Sequence, residues 1–152
     1  MARVDLDVTA WPLVQARIPA TFDVEAIDSF FRGFDEVLAR KTKFVTSIDT
    51  SALSRFPDAL ERSHLGECMK VRTFAEASYN LGNAVILRSA TARTVLTAVN
   101  WVRRPVTAQQ LVGTFAEALE WCCGRLAQAG IPLSPAIEML RAHGAGTSDG
   151  KR

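Results

Sequence analysis

Cysteine is scarce in this chain: three residues in 152, at Cys68, Cys122 and Cys123. An odd count without a CxxC pair excludes a disulfide framework and a paired-cysteine metal ribbon. Cys122 and Cys123 are neighbours in sequence and cannot bridge each other within a helix. Buried, reduced thiols in a reducing compartment are the expectation. Histidine is rarer still, with only His64 and His143. Neither accompanies a Gly-x-Ser-x-Gly elbow or a cysteine signature, so hydrolase chemistry is not expected and the chain reads as a non-enzyme. Long apolar runs are missing as well. No stretch without a charged side chain exceeds 12 residues, the length of Pro105 to Ala116, whereas a membrane helix needs about 20 apolar residues. The opening Met1-Ala2-Arg3-Val4-Asp5 lacks the apolar centre of a signal peptide, and a cytoplasmic location is expected. No charge of one sign prevails: 18 basic and 16 acidic residues leave +2, which does not point to nucleic acid.

What is present suits one packed domain, with 48% hydrophobic and 22% charged residues. The charges are unevenly spread. Residues 1–38 carry three basic and seven acidic groups, a balance of −4. Residues 70–112 carry Lys70, Arg72, Arg88, Arg93, Arg103 and Arg104 against Glu76 alone, a balance of +5. Such asymmetry suits an acidic partner, or the acidic third of a second copy, or simple solvation.

Periodicity supplies the elements. Val4, Leu6 and Val8 alternate with polar residues, and Leu13 to Ile18 resumes after Trp11-Pro12, which predicts an N-terminal β-hairpin. Asp23 caps a helix carrying Ile27, Phe30, Phe31, Phe34, Val37 and Leu38. Phe30 and Phe31 are adjacent, so one is expected to be partly exposed. Phe44–Asp49 reads as a strand. Pro57 suits the first turn of a second helix running through Leu60, Leu65, Cys68, Met69 and Phe74 to Leu81, with Gly82 as its stop. Ala84-Val85-Ile86-Leu87 reads as a covered strand. A third helix carries Val95, Leu96, Val99 and Val102, and Pro105 stops it. Gln109–Val112 is a short strand, and Thr114-Phe115-Ala116-Glu117 is a capping box opening a fourth helix that ends at Gly130. The expected organisation is an α/β domain over 1–131, a short helix over 132–143 opened by Ser134-Pro135, and a disordered tail over 144–152. The sheet is five-stranded and mixed, a hairpin followed by βαβα units with four main helices.

The hairpin, the first helix, the strand ending in Ile48-Asp49, the Ala84–Leu87 strand, and Gln109–Val112 followed by Thr114–Leu119 together resemble the STAS-like superfamily, the fold of sulfate-transporter domains and anti-sigma-factor antagonists. The likeness covers residues 3–130 and is strongest to small stand-alone bacterial members. It implies a regulatory, signalling protein without a cofactor. In antagonist members a serine after an aspartate at the start of the second helix is phosphorylated by a partner kinase, which changes the partner bound. The matching stretch here is Phe56-Pro57-Asp58-Ala59-Leu60, with alanine in the acceptor's place. Thr50, Ser51 and Ser54 lie just upstream as substitutes, or as turn and cap hydroxyls.

Three further groups bear on function. His64 and Cys68 share a helix face, but only Glu67 is near as another ligand. No metal is expected, and His64 reads as a half-buried histidine beside a core thiol. The turn Arg88-Ser89-Ala90-Thr91, with Arg93, offers free N–H groups for an anion, or for simple capping. Trp101 and Trp121 each project about 100° from the apolar stripe of their helix. They either fill the groove towards the hairpin or form, with Arg103 and Arg104, a docking patch. The patch is the preferred reading: a non-catalytic protein–protein interaction module whose partner is another protein or itself, as a homodimer. The alternative is a small-ligand or nucleotide-binding domain using the helix N-termini at Ser54–Asp58 and Ser89–Thr91.

Overall fold

The structure, a computed structural model, describes residues 4–90, 93 and 107–149, with backbone alone over 144–149. Five strands form one sheet in the order β1 (Leu6–Asp7), β2 (Leu13–Arg17), β3 (Phe44–Asp49), β4 (Asn80–Ile86) and β5 (Gln109–Val112). β1 pairs antiparallel with β2, and every later pair is parallel. The fold is therefore the mixed α/β class expected, N-terminal hairpin included. β1 is shorter than the alternation predicts. The Asp7 carboxylate takes the N–H and hydroxyl of Thr9 and turns the chain, while the Val4 N–H donates to Ser29 Oγ instead of a strand.

Alternation along the strands divides the apolar residues between two layers. On one face Val14, Ala16 and Phe44 meet α1 (Val24–Leu38) through Ala26, Ile27, Phe30, Phe31 and Phe34. On the other, Leu13, Val45, Ala84, Ile86 and Val112 meet Leu119, Cys122 and Leu126 of α4 (Phe115–Gln128) and Ile137 of α5 (Pro135–Asp149). Phe30 and Phe31 are both buried, contrary to expectation. Their rings meet edge-on at 5.0 Å, and the Arg72 guanidinium lies over Phe31 at 4.7 Å, closing the side left open by the helix.

Local signals hold where they are self-contained. Asp23 caps α1 by accepting the Ala26 N–H. Thr114 and Glu117 form the reciprocal capping box of α4. Gly130 ends α4 with φ +74, its N–H on the Ala127 carbonyl and that of Ile131 on Leu126.

The second helical segment departs from expectation. Asp58, not Pro57, starts α2 (Ala59–Lys70), because its carboxylate and that of Glu61 make a second capping box. The helix does not reach Leu81. It ends at Lys70, where Thr73 Oγ1 donates to the Met69 and Lys70 carbonyls and Arg72 is drawn to Asp35 at 2.6 Å. A separate α3 (Thr73–Tyr79) follows. Gly82 is a strand residue rather than a helix stop: the Asn80 side chain takes the Gly82 N–H, and the chain pairs with β3 from Asn80 onward. The helix expected over Val95, Leu96, Val99 and Val102 lies outside the described residues. The last helix was expected over 132–143; α5 runs from Pro135 to Asp149, and adding a turn to a formed helix is easier than starting one. No helix among the described residues is long and apolar enough to cross a membrane.

Candidate functional site: a cleft at the carboxyl ends of the parallel strands

The α4-facing side of the sheet changes character along the strands. The register places Leu13 beside Val45, then Gln15 beside Ser47, then Arg17 beside Asp49. The apolar pair lies under α4; the charged pair does not. Asp7, opposite Gln15 in β1, projects on the same side. The result is a cleft of about 810 Å³ floored by Gln15, Arg17, Ser47 and Asp49, edged by Asp5 and Asp7, and closed by Arg88 and Phe115. It opens at the carboxyl ends of β2 and β3, the usual place for ligands in open parallel sheets. Three carboxylates and two guanidiniums line it, which suits a polar ligand of mixed charge.

Several residues singled out in the sequence meet here. Ser51 donates its hydroxyl to Asp49 Oδ1 and accepts from Arg88 Nε at 2.7 Å. Thr50 Oγ1 donates to the Ile86 carbonyl at 2.6 Å. These bonds tie the end of β3 to the end of β4. Ser54 donates to the Ala20 carbonyl at 2.9 Å. All three hydroxyls thus close turns or join loops, and Ala59, in the acceptor's place, is the first residue of α2. Ser89 supplies the carbonyl for the Arg93 N–H at 3.2 Å. Thr91, Trp101, Arg103 and Arg104 lie outside the described residues.

The start of α2 already holds anions of its own. Asp58 takes the Glu61 N–H and Glu61 takes the Asp58 N–H, each at 2.9 Å. Arg55 grips both oxygens of Glu61, at 2.8 and 2.9 Å. The Ser54–Asp58 segment is therefore a capped helix start rather than a vacant anion seat. The Arg55 hydrogen bonds, then the Asp58 N–H, pull Glu61 from its ordinary 4.5 down to about 2. A lowered carboxylate stabilises the fold above its unfolded value and loses that effect as pH falls towards its folded value. Between pH 4.5 and about 2, wild-type stability should fall more steeply than that of Glu61→Gln, and the two should converge at the acid end. Parallel urea-denaturation profiles would contradict this.

Trp121 is half-buried against the second core layer. Its ring covers Gly82 of β4, with the Arg125 guanidinium 5.7 Å from the ring centre. Arg72 pairs with Asp35, so part of the charge asymmetry is met within the chain. Cys68, Cys122 and Cys123 are free thiols. Burial pushes Cys122 up to about 12 and raises Cys123, which leaves both poorly nucleophilic. Across the sheet from the cleft, between α1 and α2, the side chains of Asp28, His64 and Cys68 converge. Sequence spacing found the last two; Asp28 stands 36 residues before His64, and no local pattern connects them.

The class of protein is thus a mixed α/β domain with helical layers on both faces of a five-stranded sheet. Comparison with models of known families, with characterised proteins and with solved structures finds no match for this chain.

Proposed function

We propose that the chain is a non-catalytic regulatory module of the STAS-like type, working in the cytoplasm, that binds a protein partner on the outer flank of α2 and α3. The observation that carries this reading is the exposure of large apolar side chains there: Leu60 80%, Val71 77% and Phe74 87%. Eleven helical steps separate Leu60 from Val71, which brings them within about 20° of one face. Phe74 opens α3 just beyond, and Phe56 stands beside the start of α2. Solvating such side chains is unfavourable, and fully burying one contributes about 1.5–3 kcal/mol. The resemblance to antagonist proteins supports the same surface, because it places partner exchange at the start of the second helix.

The partner is another protein or a second copy of this chain. The mixed charge of the cleft offers no basic track for nucleic acid. A second reading, a small-ligand or nucleotide-binding domain, is favoured by the cleft with Arg17, Arg88 and its three aspartates.

One experiment separates them. Leu60→Ser/Phe74→Ser should fold as the parent does, because both side chains are exposed. It should abolish dimer mass in light scattering, or lose a defined protein from the set crosslinked in native cells. A monomeric parent with an unchanged crosslinked set refutes the interaction surface. A nucleotide-dependent rise in Tm that disappears in Arg17→Ala/Arg88→Ala moves the assignment to the cleft.

A further inference from the structure

Asp28 projects from α1, and His64 and Cys68 project one helical turn apart from α2. Their ligand atoms all lie within 4.8 Å of one another. The His64 Nε2 is 2.6 Å from Asp28 Oδ1 and 3.7 Å from Cys68 Sγ. A relay of thiol, imidazole and carboxylate needs the thiol on one ring nitrogen and the carboxylate on the other. Here both meet the same nitrogen, which a nucleophilic triad cannot use and a shared metal ion can.

We propose that Asp28, His64 and Cys68 bind a zinc-class divalent ion that clips α1 to α2. Tetrahedral zinc with sulfur at about 2.3 Å and nitrogen at about 2.0 Å sets those two atoms about 3.5 Å apart, close to the spacing seen. The carboxylate must withdraw by less than about 1 Å from its hydrogen-bonded position. It has room to do so, since the Asp28 and His64 side chains are 44% and 34% exposed. The same exposure leaves a fourth position for water. Sulfur and imidazole exclude calcium and magnesium, which take oxygen.

The charges balance. The ionised Asp28 and Cys68 neutralise the ion, and the neighbouring Arg72 is already committed to Asp35 at 2.6 and 2.8 Å. Arg72 also donates to the Cys68 carbonyl at 2.8 Å, holding that turn of α2 in place. Binding forms a metal–sulfur bond and releases the Cys68 S–H proton to solvent; a proton on Nε2 moves to Nδ1 in the neutral ring, and leaves to solvent only from an imidazolium. No electron is exchanged and no further reactant is needed.

The test uses the full, reduced, metal-free chain and Co²⁺ as the spectroscopic probe. One equivalent should give the visible bands of a tetrahedral ion and a thiolate-to-cobalt charge-transfer band, both erased by Zn²⁺. Cys68→Ser should remove the charge-transfer band, and Asp28→Asn should weaken Zn²⁺ binding. Loss of either ligand should raise Kd by about a hundredfold or more, since even outer-sphere partners are worth about 10–100-fold. An octahedral aqueous spectrum, or a thiolate band surviving in Cys68→Ser, overturns the site. A readout that needs no variant is Zn²⁺ protection of Cys68 from alkylation, followed by peptide mass spectrometry; an unchanged rate also overturns it. The proposal stands apart from the α2–α3 docking surface, and neither result depends on the other.

Discussion

Phe34→Ala is expected to destabilise the chain by about 3–5 kcal/mol, the largest effect of any single replacement proposed. Phe34 is 3% exposed at the centre of the α1 layer. It stacks on Phe30 at 5.7 Å and meets Phe31 and Phe44 edge-on at 6.3 and 5.9 Å. Alanine removes the ring and leaves a cavity whose walls belong to a helix and a strand that cannot close together. For a chain of this size the loss corresponds to a fall in Tm of roughly 10 °C, measured by calorimetry or urea denaturation. Phe34→Leu should keep most of the volume and cost about 1.5 kcal/mol or less. Equal losses from the two replacements would mean that ring volume is not what holds α1 on the sheet.

The second large effect is expected at Gly82. A methyl group there would stand 2.5 Å from Cη2 and 2.9 Å from Cζ3 of Trp121. Atoms do not approach so closely, so Gly82→Ala must either shift β4 or expel the indole. The ring is hemmed in by the Arg125 side chain, whose Nε donates to the Leu81 carbonyl at 2.9 Å. The expected cost is about 1–3 kcal/mol. The cause is checked by a double-mutant cycle. In a Trp121→Ala background the added methyl would meet only the Ala108 carbonyl, at an ordinary 3.4 Å, and most of the penalty should disappear. A penalty that persists in that background would place its origin in the strand backbone and not in the indole contact.

Gly82 also shows why part of the fold escaped the sequence. A glycine after a stretch of mixed helical character reads as a helix stop. Its place is in a strand, because a ring 39 positions later needs the space that a side chain would occupy. The early end of α2 has the same kind of cause. Arg72 turns to Asp35 and Phe31 on α1, and Thr73 satisfies carbonyls that a continuing helix would have used. By contrast, the span and cap of α1 were legible, as were the capping box of α4 and the strands Phe44–Asp49 and Gln109–Val112; of β4 only Ala84–Ile86 was. Each rests on spacing or on contacts within a few residues.

The functional surfaces divide along the same line. The hydroxyls of Thr50, Ser51 and Ser54 could be named from the sequence, but not the network that engages them. The cleft joins residues from both ends of the chain, Asp5 and Phe115 among them. The exposure of Leu60 and Phe74 contradicts the sequence reading that counted both among the apolar positions carrying the second helix. Only the helix break and the packing of α2 through Glu61, Leu65 and Met69 turn those side chains outward.

By itself, then, the sequence determined the class of fold, the described strand-and-helix order apart from the break between α2 and α3, and most helix starts. Hydrophobic period and capping act over one or two turns, and a short window contains them whole. Only the tertiary structure decided which surfaces are open, where Arg17 and Asp49 lie relative to Arg88, and that Asp28 meets His64 and Cys68. Those outcomes depend on how one element is seated against another. That seating is set by the summed packing of two cores, and no local stretch of the chain encodes it.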